Sequence, residues 1–362
     1  MTRAIIIHHP DVYESEEARA LAEAGGYEVV GSVTQKYLSK AKYGVGLGKA
    51  EEAAELVREA RAEKMIFDSS LTTSQSYNLA KLCKAAVVDR EKLILEIFAK
   101  RAVTAEAKLQ VELAELAYEL PKAKDKVRIA KTGEQPGFFG LGKYEVDVYM
   151  RMMKRRVSTL RKKVRTVSER REIFRYRRER TGYPTAAITG YTGAGKTALF
   201  NKLTGERKEI NTGVFTTLSP TTRGIDVGSG RRLMLTDTVG FISRLPHFLI
   251  EAFKSTLEEV SQATIVLLIV DASLPADRMA LNCMSCFQTL SELDVPDSKI
   301  LVVMNKADLV TREELTKKMR LAGIRSASIV SAKTGDGVSR LLQELSDSLG
   351  RLRAAQFEGF RK

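Results

Sequence analysis

The sequence has little of what extracellular and membrane-spanning proteins rely on. It contains three cysteines in 362 residues, too few for a disulfide framework in a chain of this length. The longest apolar run near its centre covers residues 263–270, far short of the about 20 residues that a membrane-spanning helix needs. Its first residues lack the layout of a signal peptide. We therefore expect a cytoplasmic protein without a membrane span.

Metal-binding clusters of cysteine and histidine are also missing. Cys283 and Cys286 have the spacing of a ligand pair, but no second pair or histidine cluster accompanies them. On a helix the two sulfurs share a face, so two core cysteines are favoured over a zinc site. His8, His9 and His247 form no constellation, and no catalytic role is expected for them.

Positive charge is abundant and unevenly distributed. The net charge is +14, and residues 151–180 contain 14 Lys or Arg against three Glu. Such a local field attracts polyanions, of which nucleic acid is the most common. A solvated helix face without a partner is the alternative, and an anionic membrane is less favoured because the apolar stripe is narrow. The RNA-binding candidates are Arg155, Arg156, Arg161, Lys162, Lys163 and Arg165.

Residues 1–89 alternate between strand and helix patterns, which predicts a small parallel sheet covered by helices. The glycines of residues 44–49 precede the second helix and could form a phosphate-binding turn. They lack the dinucleotide spacing, so a plain loop is favoured. The predicted strands cover residues 4–8, 27–33, 65–67 and 85–88, and the predicted helices cover residues 16–24, 49–62 and 74–84.

Residues 90–180 carry two long helical patterns. Apolar residues recur at three- and four-residue steps up to Pro121, where we expect the first helix to stop. A Lys- and Gly-rich connector over residues 121–144 leads to a second helix with a heptad seam. We expect an antiparallel hairpin with the connector at its exposed tip. The first stripe comprises Leu95, Phe98, Ala102, Ala105, Leu109, Leu113, Leu116 and Leu120, and the seam comprises Val146, Met150, Met153, Val157, Leu160, Val164, Val167 and Phe174.

Residues 190–197 have the full phosphate-loop pattern, between a short apolar run and a helical segment. Glycines let backbone N–H groups surround a phosphate, and the helix start adds its positive end. Lys196 can contact the β- and γ-phosphates, and the Thr197 hydroxyl can bind Mg²⁺. The loop comprises Gly190, Tyr191, Thr192, Gly193, Ala194, Gly195, Lys196 and Thr197, followed by Ala198.

Alternation of strands and helices resumes over residues 181–350, before a basic tail at residues 351–362. It predicts a P-loop domain with a doubly wound, mostly parallel sheet, whose ligand lies beyond the carboxyl ends of the strands. The predicted strands cover residues 232–235, 264–270, 299–304 and 328–330, and the predicted helices cover residues 255–260, 280–293, 312–321 and 338–349.

Three further motifs follow strands of this domain. Asp237 can hold Mg²⁺, and Gly240 can donate its N–H to a γ-phosphate. Asp308 can accept from N1–H and the exocyclic amine of guanine, a donor pair that adenine lacks. Four motifs in this order predict a guanine-nucleotide-binding switch domain. The remaining base-site candidates are Asn305, Lys306, Ser331, Ala332 and Lys333.

One threonine between the phosphate-loop helix and Asp237 should close over Mg²⁺ and the γ-phosphate. We choose Thr217, with Thr216 next, as a metal and catalytic residue beside Lys196 and Gly240. Phe241 follows Gly240, where many GTPases have a Gln that orients the attacking water. We therefore expect slow intrinsic hydrolysis, with water positioned by the backbone, another residue or a bound partner.

These motifs make the chain resemble the HflX family of translational GTPases over nearly its whole length. The resemblance also rests on the Asp89-Arg90 start of the first long helical pattern and on Leu245-Pro-His247. It implies a GTPase that binds the large ribosomal subunit and, in bacterial members, splits ribosomes. In that family the connector between the long helices extends toward the peptidyl-transferase centre.

Two departures limit what the resemblance carries over. The family often has Asn where this chain has Gly193, so the resemblance alone does not imply potassium-assisted hydrolysis. The family's longer Gly/Arg-rich connector is represented here by residues 133–144 without an Arg, so active splitting cannot simply be carried over, and ribosome splitting or a stress role stays open. We expect a monomeric GTPase that uses Mg²⁺ and binds GTP, GDP and ribosomal RNA. The alternatives are a nucleotide-gated RNA-binding or regulatory protein with negligible turnover, and a peripheral membrane protein.

Overall fold

The computed structural model describes residues 1–131, 143–180, 183–207, 214–215, 220–228 and 230–359. Side chains are described for most of these positions, the exceptions being residues 124, 126–131, 143–147, 168–180, 254–256 and 352–359. The chain divides into two compact units, Met1–Val167 and Ser168–Lys362. Each unit is built around its own parallel sheet.

The first unit contains a four-stranded sheet in the order β2-β1-β3-β4, with all strands parallel. The apolar residues of its two central strands are fully buried, as expected for a sheet covered by helices. The predicted small parallel sheet is therefore confirmed. The strands are β1 (Thr2–His8), β2 (Tyr27–Thr34), β3 (Lys64–Phe67) and β4 (Ala86–Asp89), and the helices between them are α1 (Val12–Ala24), α2 (Leu47–Glu59) and α3 (Thr73–Cys83).

The long helix expected from residue 90 to Pro121 is two helices, α4 (Arg90–Arg101) and α5 (Ala105–Lys131). The break occurs because Ala102 is extended and Thr104 starts a new helix by accepting the Ala107 N–H at 3.1 Å. As a result, Ala105 is exposed and not part of a buried stripe. The expected stop at Pro121 was also wrong, because α5 continues past it. A proline removes only one backbone N–H from the helix.

The second long helix is α6 (Lys143–Arg180). Of the predicted seam, Met150, Met153 and Leu160 are buried. Helices α5 and α6 are in contact, since Arg156 Nε donates to Glu112 Oε1 at 2.9 Å. The expected connector over residues 121–144 was too long, because both of its ends are helical; residues 132–142 lie outside the described part of the chain.

The second unit contains a six-stranded sheet in the order β10-β9-β8-β5-β7-β6. All pairs are parallel except that of β6 with β7. The doubly wound, mostly parallel sheet is therefore confirmed. Its strands are β5 (Thr185–Gly190), β6 (Thr221–Asp226), β7 (Arg232–Asp237), β8 (Ile265–Asp271), β9 (Ile300–Asn305) and β10 (Ser328–Ile329). Its helices are α7 (Lys196–Thr204), α8 (His247–Ala252), α9 (Lys254–Ser261), α10 (Ala276–Glu292), α11 (Arg312–Leu321) and α12 (Val338–Gly359), with short 3-10 helices at Asp297–Lys299 and Ala307–Leu309.

Strand β6 and helix α8 were not predicted. The sequence places the residues of β6 in a loop, but they pair antiparallel with β7, and the hydroxyls of Thr222 and Thr236 are 2.9 Å apart. Helix α12 also continues into the expected basic tail. Within the described residues, no helix is long and apolar enough to cross a membrane.

Candidate functional site

The phosphate loop begins where β5 ends. Gly190 has φ +140°, and a Cβ there would lie 2.2 Å from the Ile269 carbonyl oxygen on β8. Gly193 and Gly195 also have positive φ, a region that side chains with a Cβ disfavour. Gly195 immediately precedes α7, and a Cβ there would lie 2.3 Å from Asn305 Nδ2. These glycines leave backbone groups free to surround an anion at the start of α7.

Lys196 lies inside this loop. Its Nζ donates to the carbonyls of Gly190 at 3.1 Å and Tyr191 at 2.8 Å. Burial lowers the pKa of Lys196 to about 8, against the opposing effect of the nearby Asp237. Phosphate oxygens are the acceptors that this ammonium group would prefer to carbonyls, because they carry charge.

Phe241 connects the segment after β7 to the phosphate loop through its backbone. Its N–H donates to Gly190 O at 3.0 Å, and its carbonyl accepts from the Thr192 N–H at 2.7 Å. Its side chain is only 1% exposed, so the phenyl ring belongs to the protein interior. Gly240 lies against Lys196, since a Cβ there would be 2.6 Å from Lys196 Nζ. The segment therefore presents backbone, and not a side chain, to the phosphate site.

The expected metal ligands are adjacent. Thr197 Oγ1 donates to Asp237 Oδ2 at 3.2 Å, and Asp237 is fully buried at the end of β7. A hydroxyl and a carboxylate are oxygen ligands of the kind that Mg²⁺ prefers, so this pair fits a magnesium ion. Thr216 and Thr217 lie outside the described residues.

Asn305 joins the phosphate loop to the base-side loop. Its Nδ2 donates to Ala194 O at 2.8 Å, and its Oδ1 accepts from the Ala332 N–H at 3.0 Å. The side-chain nitrogen and oxygen of this buried residue therefore both form hydrogen bonds within the protein. The role of Asn305 is to hold two nucleotide loops at a fixed separation.

Asp308 lies at the mouth of a cavity beside these loops. Ser331 Oγ donates to Asp308 Oδ1 at 2.6 Å, and this hydrogen bond lowers the pKa of the exposed Asp308 carboxyl. Lys306 pairs with Asp271 at 2.6 Å. The cavity has a volume of about 550 Å³, within the range of small-molecule sites. It is lined by Gly195, Ala198, Asn201, Lys202, Glu206, Asn305, Lys306, Asp308, Leu309, Ala332 and Lys333.

Four of these lining residues were missed from the sequence: Asn201, Lys202, Glu206 and Leu309. The first two follow Ala198 by three and four positions on α7 and therefore share its face. That spacing could have identified them. Glu206 follows the end of α7, and only the folded structure shows that it lies beside the cavity.

Tyr191 and Thr192 support the loop with their side chains. The Tyr191 hydroxyl accepts from the Ser243 N–H at 2.8 Å, and the Arg278 guanidinium lies 5.6 Å from the tyrosine ring centroid. Thr192 Oγ1 accepts from the Phe215 N–H at 3.2 Å. Both side chains hold segments that flank the phosphate loop. Only the backbone groups of Tyr191 and Thr192 are therefore left for the expected contact with nucleotide.

Cys283 and Cys286 are buried free thiols on α10, as expected for core cysteines. Burial raises the pKa of Cys286 to about 12, which keeps the thiol protonated at neutral pH. His8 is buried in the first unit, where its Nδ1 lies 2.6 Å from the His9 carbonyl oxygen. None of these groups lines the cavity beside Asp308.

The predicted RNA-binding residues differ in their surroundings on α6. Arg161, Lys162 and Arg165 line a groove of about 460 Å³ together with Lys154, Val157, Ser158 and Leu120. Arg156 instead pairs with Glu112 of α5. Arg155 and Lys163 are exposed. The sequence missed Lys154, although it lies one turn before Ser158 on the same helix face.

Three family models match successive parts of the chain. Residues 13–99 match one described as GTP-binding GTPase N-terminal. Residues 101–178 match one described as GTP-binding GTPase Middle Region. Residues 185–306 match one described as 50S ribosome-binding GTPase.

Several curated proteins named GTPase HflX are similar to this chain. The protein of Thermococcus kodakarensis is 40% identical over 95% of this chain and 79% of its own length. The Methanocaldococcus jannaschii protein is 45% identical over 83% of this chain and 74% of its own length. The Escherichia coli protein is 37% identical over 96% of this chain and 83% of its own length.

Among solved structures, a GTP-binding protein of Sulfolobus solfataricus in complex with GDP is similar over nearly all of both chains. The TM-score is 0.51 at 27% sequence identity, with 97% of this chain and 100% of the other covered. A crystal structure described as the SsGBP and GDP complex gives a TM-score of 0.54 at 27% identity, with 98% and 99% covered.

Proposed function

The chain belongs to the HflX family of GTPases, and from this premise we propose that it docks on the large ribosomal subunit under control of its nucleotide. It binds guanine nucleotide through its phosphate loop and hydrolyses GTP. The observation that carries the proposal is the match of residues 185–306, which contain the phosphate loop and Asp237, to the 50S ribosome-binding GTPase model.

Guanine selection follows from the fixed position of Asp308. The Ser331 hydroxyl holds its carboxylate at the cavity mouth and keeps it ionised. An ionised carboxylate accepts hydrogen bonds and donates none. It therefore suits the neighbouring N1–H and exocyclic amine of guanine and repels the unprotonated N1 of adenine.

The phosphate end of the site would hold the phosphates through two residues and Mg²⁺ through three. Lys196 and the Gly240 N–H would contact the phosphates, while Thr197, Asp237 and Thr217 would hold Mg²⁺. When bound, the metal supplies positive charge that stabilises the negative charge developing on the phosphates as the bond to the γ-phosphate breaks. Because the Phe241 ring is buried, water would be oriented by backbone, by another residue or by the docked ribosome. Slow intrinsic hydrolysis is the consequence.

The basic face of α6 would bind ribosomal RNA. Arg161, Lys162 and Arg165 lie along one groove with Lys154, and a row of cations matches a row of phosphates. Arg155 and Lys163 are exposed and available for the same role, whereas the charge of Arg156 is offset by its pair with Glu112. We propose that the protein is a monomer. We also propose that it is cytoplasmic, because ribosomes would be its docking partner.

We also propose that the chain consists of four functional regions. Residues 1–89 would form the N-terminal subdomain, residues 90–180 the helical hairpin, residues 181–350 the GTP-binding domain, and residues 351–362 a basic tail.

A second function, a nucleotide-gated RNA-binding protein with negligible turnover, is favoured by one observation. The position that would orient the attacking water is occupied by Phe241, whose ring lies in the core. In that case GTP would act only as a conformational ligand.

The deciding experiment measures GTP turnover with and without purified large ribosomal subunits at several salt concentrations. Stimulation that fades as salt rises is expected, because phosphate contacts release counterions. The triple variant Arg161→Ala, Lys162→Ala, Arg165→Ala should lose stimulation and keep its basal turnover. Replacing the exposed cations Arg312, Lys317 and Arg320 of α11 provides a control with the same charge change. GTP binding without stimulation at any salt would contradict the proposal and support the second function.

A further inference from the structure

A cationic loop follows the carboxyl end of β2 in the first unit. Residues 35–46, here called the lysine loop, contain Lys36, Lys40 and Lys42 and no acidic residue. All three lysines are exposed. Strand β2 lies at one edge of its sheet, and the loops at the carboxyl ends of parallel strands are where such sheets bind ligands.

The backbone of the lysine loop is held in one conformation. Lys40 and Gly44 exchange two backbone hydrogen bonds, at 3.0 and 2.8 Å. Two side chains of α3 also donate to loop carbonyls: Gln75 Nε2 to Lys40 O at 2.9 Å and Asn78 Nδ2 to Lys42 O at 3.0 Å. A loop fixed in this way loses little conformational entropy when it binds a partner.

The charges of the loop are not neutralised by neighbouring carboxylates. Lys36, Lys40 and Lys42 make no ion pair within the described ranges of the chain, whereas Lys49, just after the loop, pairs with Glu52. The contacts that two of them do make are with aromatic rings: Lys36 lies 5.7 Å from the Tyr37 centroid and Lys42 lies 5.2 Å from the Tyr43 centroid.

Tyr37 gives the loop a second binding feature. Its side chain is 62% exposed, so the ring is accessible to a partner. Exposed aromatic rings interleaved with cations are the combination by which proteins bind unpaired nucleotides, since the ring stacks on a base and the cations contact phosphates.

We propose that the lysine loop is an RNA-binding surface. Lys36, Lys40 and Lys42 contact consecutive phosphates, and the Tyr37 ring stacks on an unpaired base. This surface is distinct from the basic face of α6, and RNA binding by the loop does not depend on docking to the large subunit.

The test measures binding of the full-length protein to fluorescently labelled RNA by anisotropy, with a 12-nucleotide single strand and a duplex of equal length as probes. The triple variant Lys36→Ala, Lys40→Ala, Lys42→Ala should bind the single strand at least about tenfold more weakly. Its slope of log affinity against log salt should fall by about 2, because three phosphate contacts are lost. Tyr37→Ala should weaken single-strand binding about fivefold or more and leave duplex binding unchanged, while Tyr37→Phe should bind as the wild type does.

A matched control removes three exposed cations elsewhere in the same unit. The control variant combines Arg3→Ala, Arg58→Ala and Arg61→Ala, which lie at the start of β1, near the end of α2 and just after α2, away from the carboxyl end of β2. Equal losses in this variant and in the lysine-loop variant would overturn the proposal, because they would show an effect of net charge alone. So would a wild-type protein that binds neither probe, or a Tyr37→Ala variant that loses duplex binding equally.

The same variants separate this proposal from ribosome docking. The lysine-loop variant should lose RNA affinity whether or not large subunits stimulate GTP turnover, and the α6 variant described above reports on turnover independently. Absence of ribosome stimulation together with a selective loss of single-strand binding in the lysine-loop variant would support the loop and contradict docking.

Discussion

Lys196 shows how a single buried amine can report nucleotide binding. In the structure its Nζ contacts two loop carbonyls, and burial lowers its pKa to about 8. A bound phosphate would favour the charged form and raise that pKa. GDP binding should therefore take up close to one proton at about pH 9 and almost none from this group near pH 6.5. Calorimetric titration in buffers with different ionisation enthalpies measures the proton count.

The sign of the Lys196 effect on stability follows from the same shift. Between pH 8 and the ordinary value of 10.5, the folded nucleotide-free protein binds fewer protons at Lys196 than the unfolded chain does. The contribution of Lys196 to stability therefore increases as pH rises through this window.

The control for the proton-uptake measurement is Lys202→Ala, at an exposed lysine beside the same cavity, which should leave proton uptake unchanged. Binding at pH 9 without proton uptake would contradict the assignment.

Phe241 is a structural residue at a position where a catalytic side chain is often found. Its ring is 1% exposed, while its backbone bonds Gly190 and Thr192. Phe241→Gln would bury an amide in apolar surroundings and should lower the free energy of unfolding by about 3 kcal/mol or more. It should not accelerate single-turnover GTP hydrolysis, because the backbone bonds direct the side chain inward.

The control for this change is Phe241→Leu, which keeps the position apolar and should cost less stability at equal turnover. Denaturant unfolding and single-turnover hydrolysis are the two measurements. A Phe241→Gln variant that is as stable as the wild type and hydrolyses GTP faster would show that the side chain can turn toward the phosphates.

The candidate nucleotide residues could be picked out from the sequence because phosphate and guanine chemistry dictates both their types and their spacing. Gly195 and Asp308 line one cavity, and Thr197 bonds to Asp237. Their supporting partners were not predictable. The bonds of Phe241 to Gly190 and Thr192, and of Tyr191 to Ser243, join segments far apart in the chain, and no local pattern encodes such pairs.

Arg90 joins three elements of the first unit. At the start of α4, its guanidinium pairs with Asp68 at the end of β3 and with Glu17 of α1, and all three side chains are at most 4% exposed. Removing the cation would leave two buried carboxylates that repel each other and have no positive charge beside them. Arg90→Met should therefore lower the free energy of unfolding by about 3–5 kcal/mol, measured by denaturant titration.

Removing all three charges together is the informative control for Arg90→Met. The combined variant Glu17→Gln, Asp68→Asn, Arg90→Met should be more stable than Arg90→Met alone, because no buried charge remains uncompensated. If the single and combined variants were equally unstable, the loss would come from packing and not from charge.

Elements with strong local patterns were predicted, and those that depend on distant partners were not. The apolar runs of β1 and β8 identify buried strands directly. The break between α4 and α5 escapes prediction because residues 102–104 fit the helical spacing, and the cap at Thr104 is a weak local preference. Strand β6 was missed because only its pairing with β7 makes those residues extended.

At the scale of the whole molecule, each of the two units has a hydrophobic core of its own among the described residues, so nucleotide acts directly on only one of them. One core belongs to the sheet containing β5, β8 and β9, and another belongs to the sheet containing β1 and β3. A ligand stabilises only the structure that unfolds with its site, by about 2.7 kcal/mol at 100 times its dissociation constant. GDP at that concentration should slow hydrogen exchange in β5, β8 and β9 by up to about 100-fold and leave β1 and β3 unchanged.

The control for this experiment is Asp308→Ala, which should reduce the protection at the same GDP concentration, because the variant loses its hydrogen bonds to guanine and binds GDP more weakly. Amide exchange followed by mass spectrometry resolves the two sheets, since their strands lie in different peptides. Equal protection of β1 and β8 would contradict the prediction, because it would mean that the two cores unfold in one cooperative transition. Protection confined to β5, β8 and β9 would mean that the sheet holding the phosphate loop unfolds independently of the sheet in the first unit.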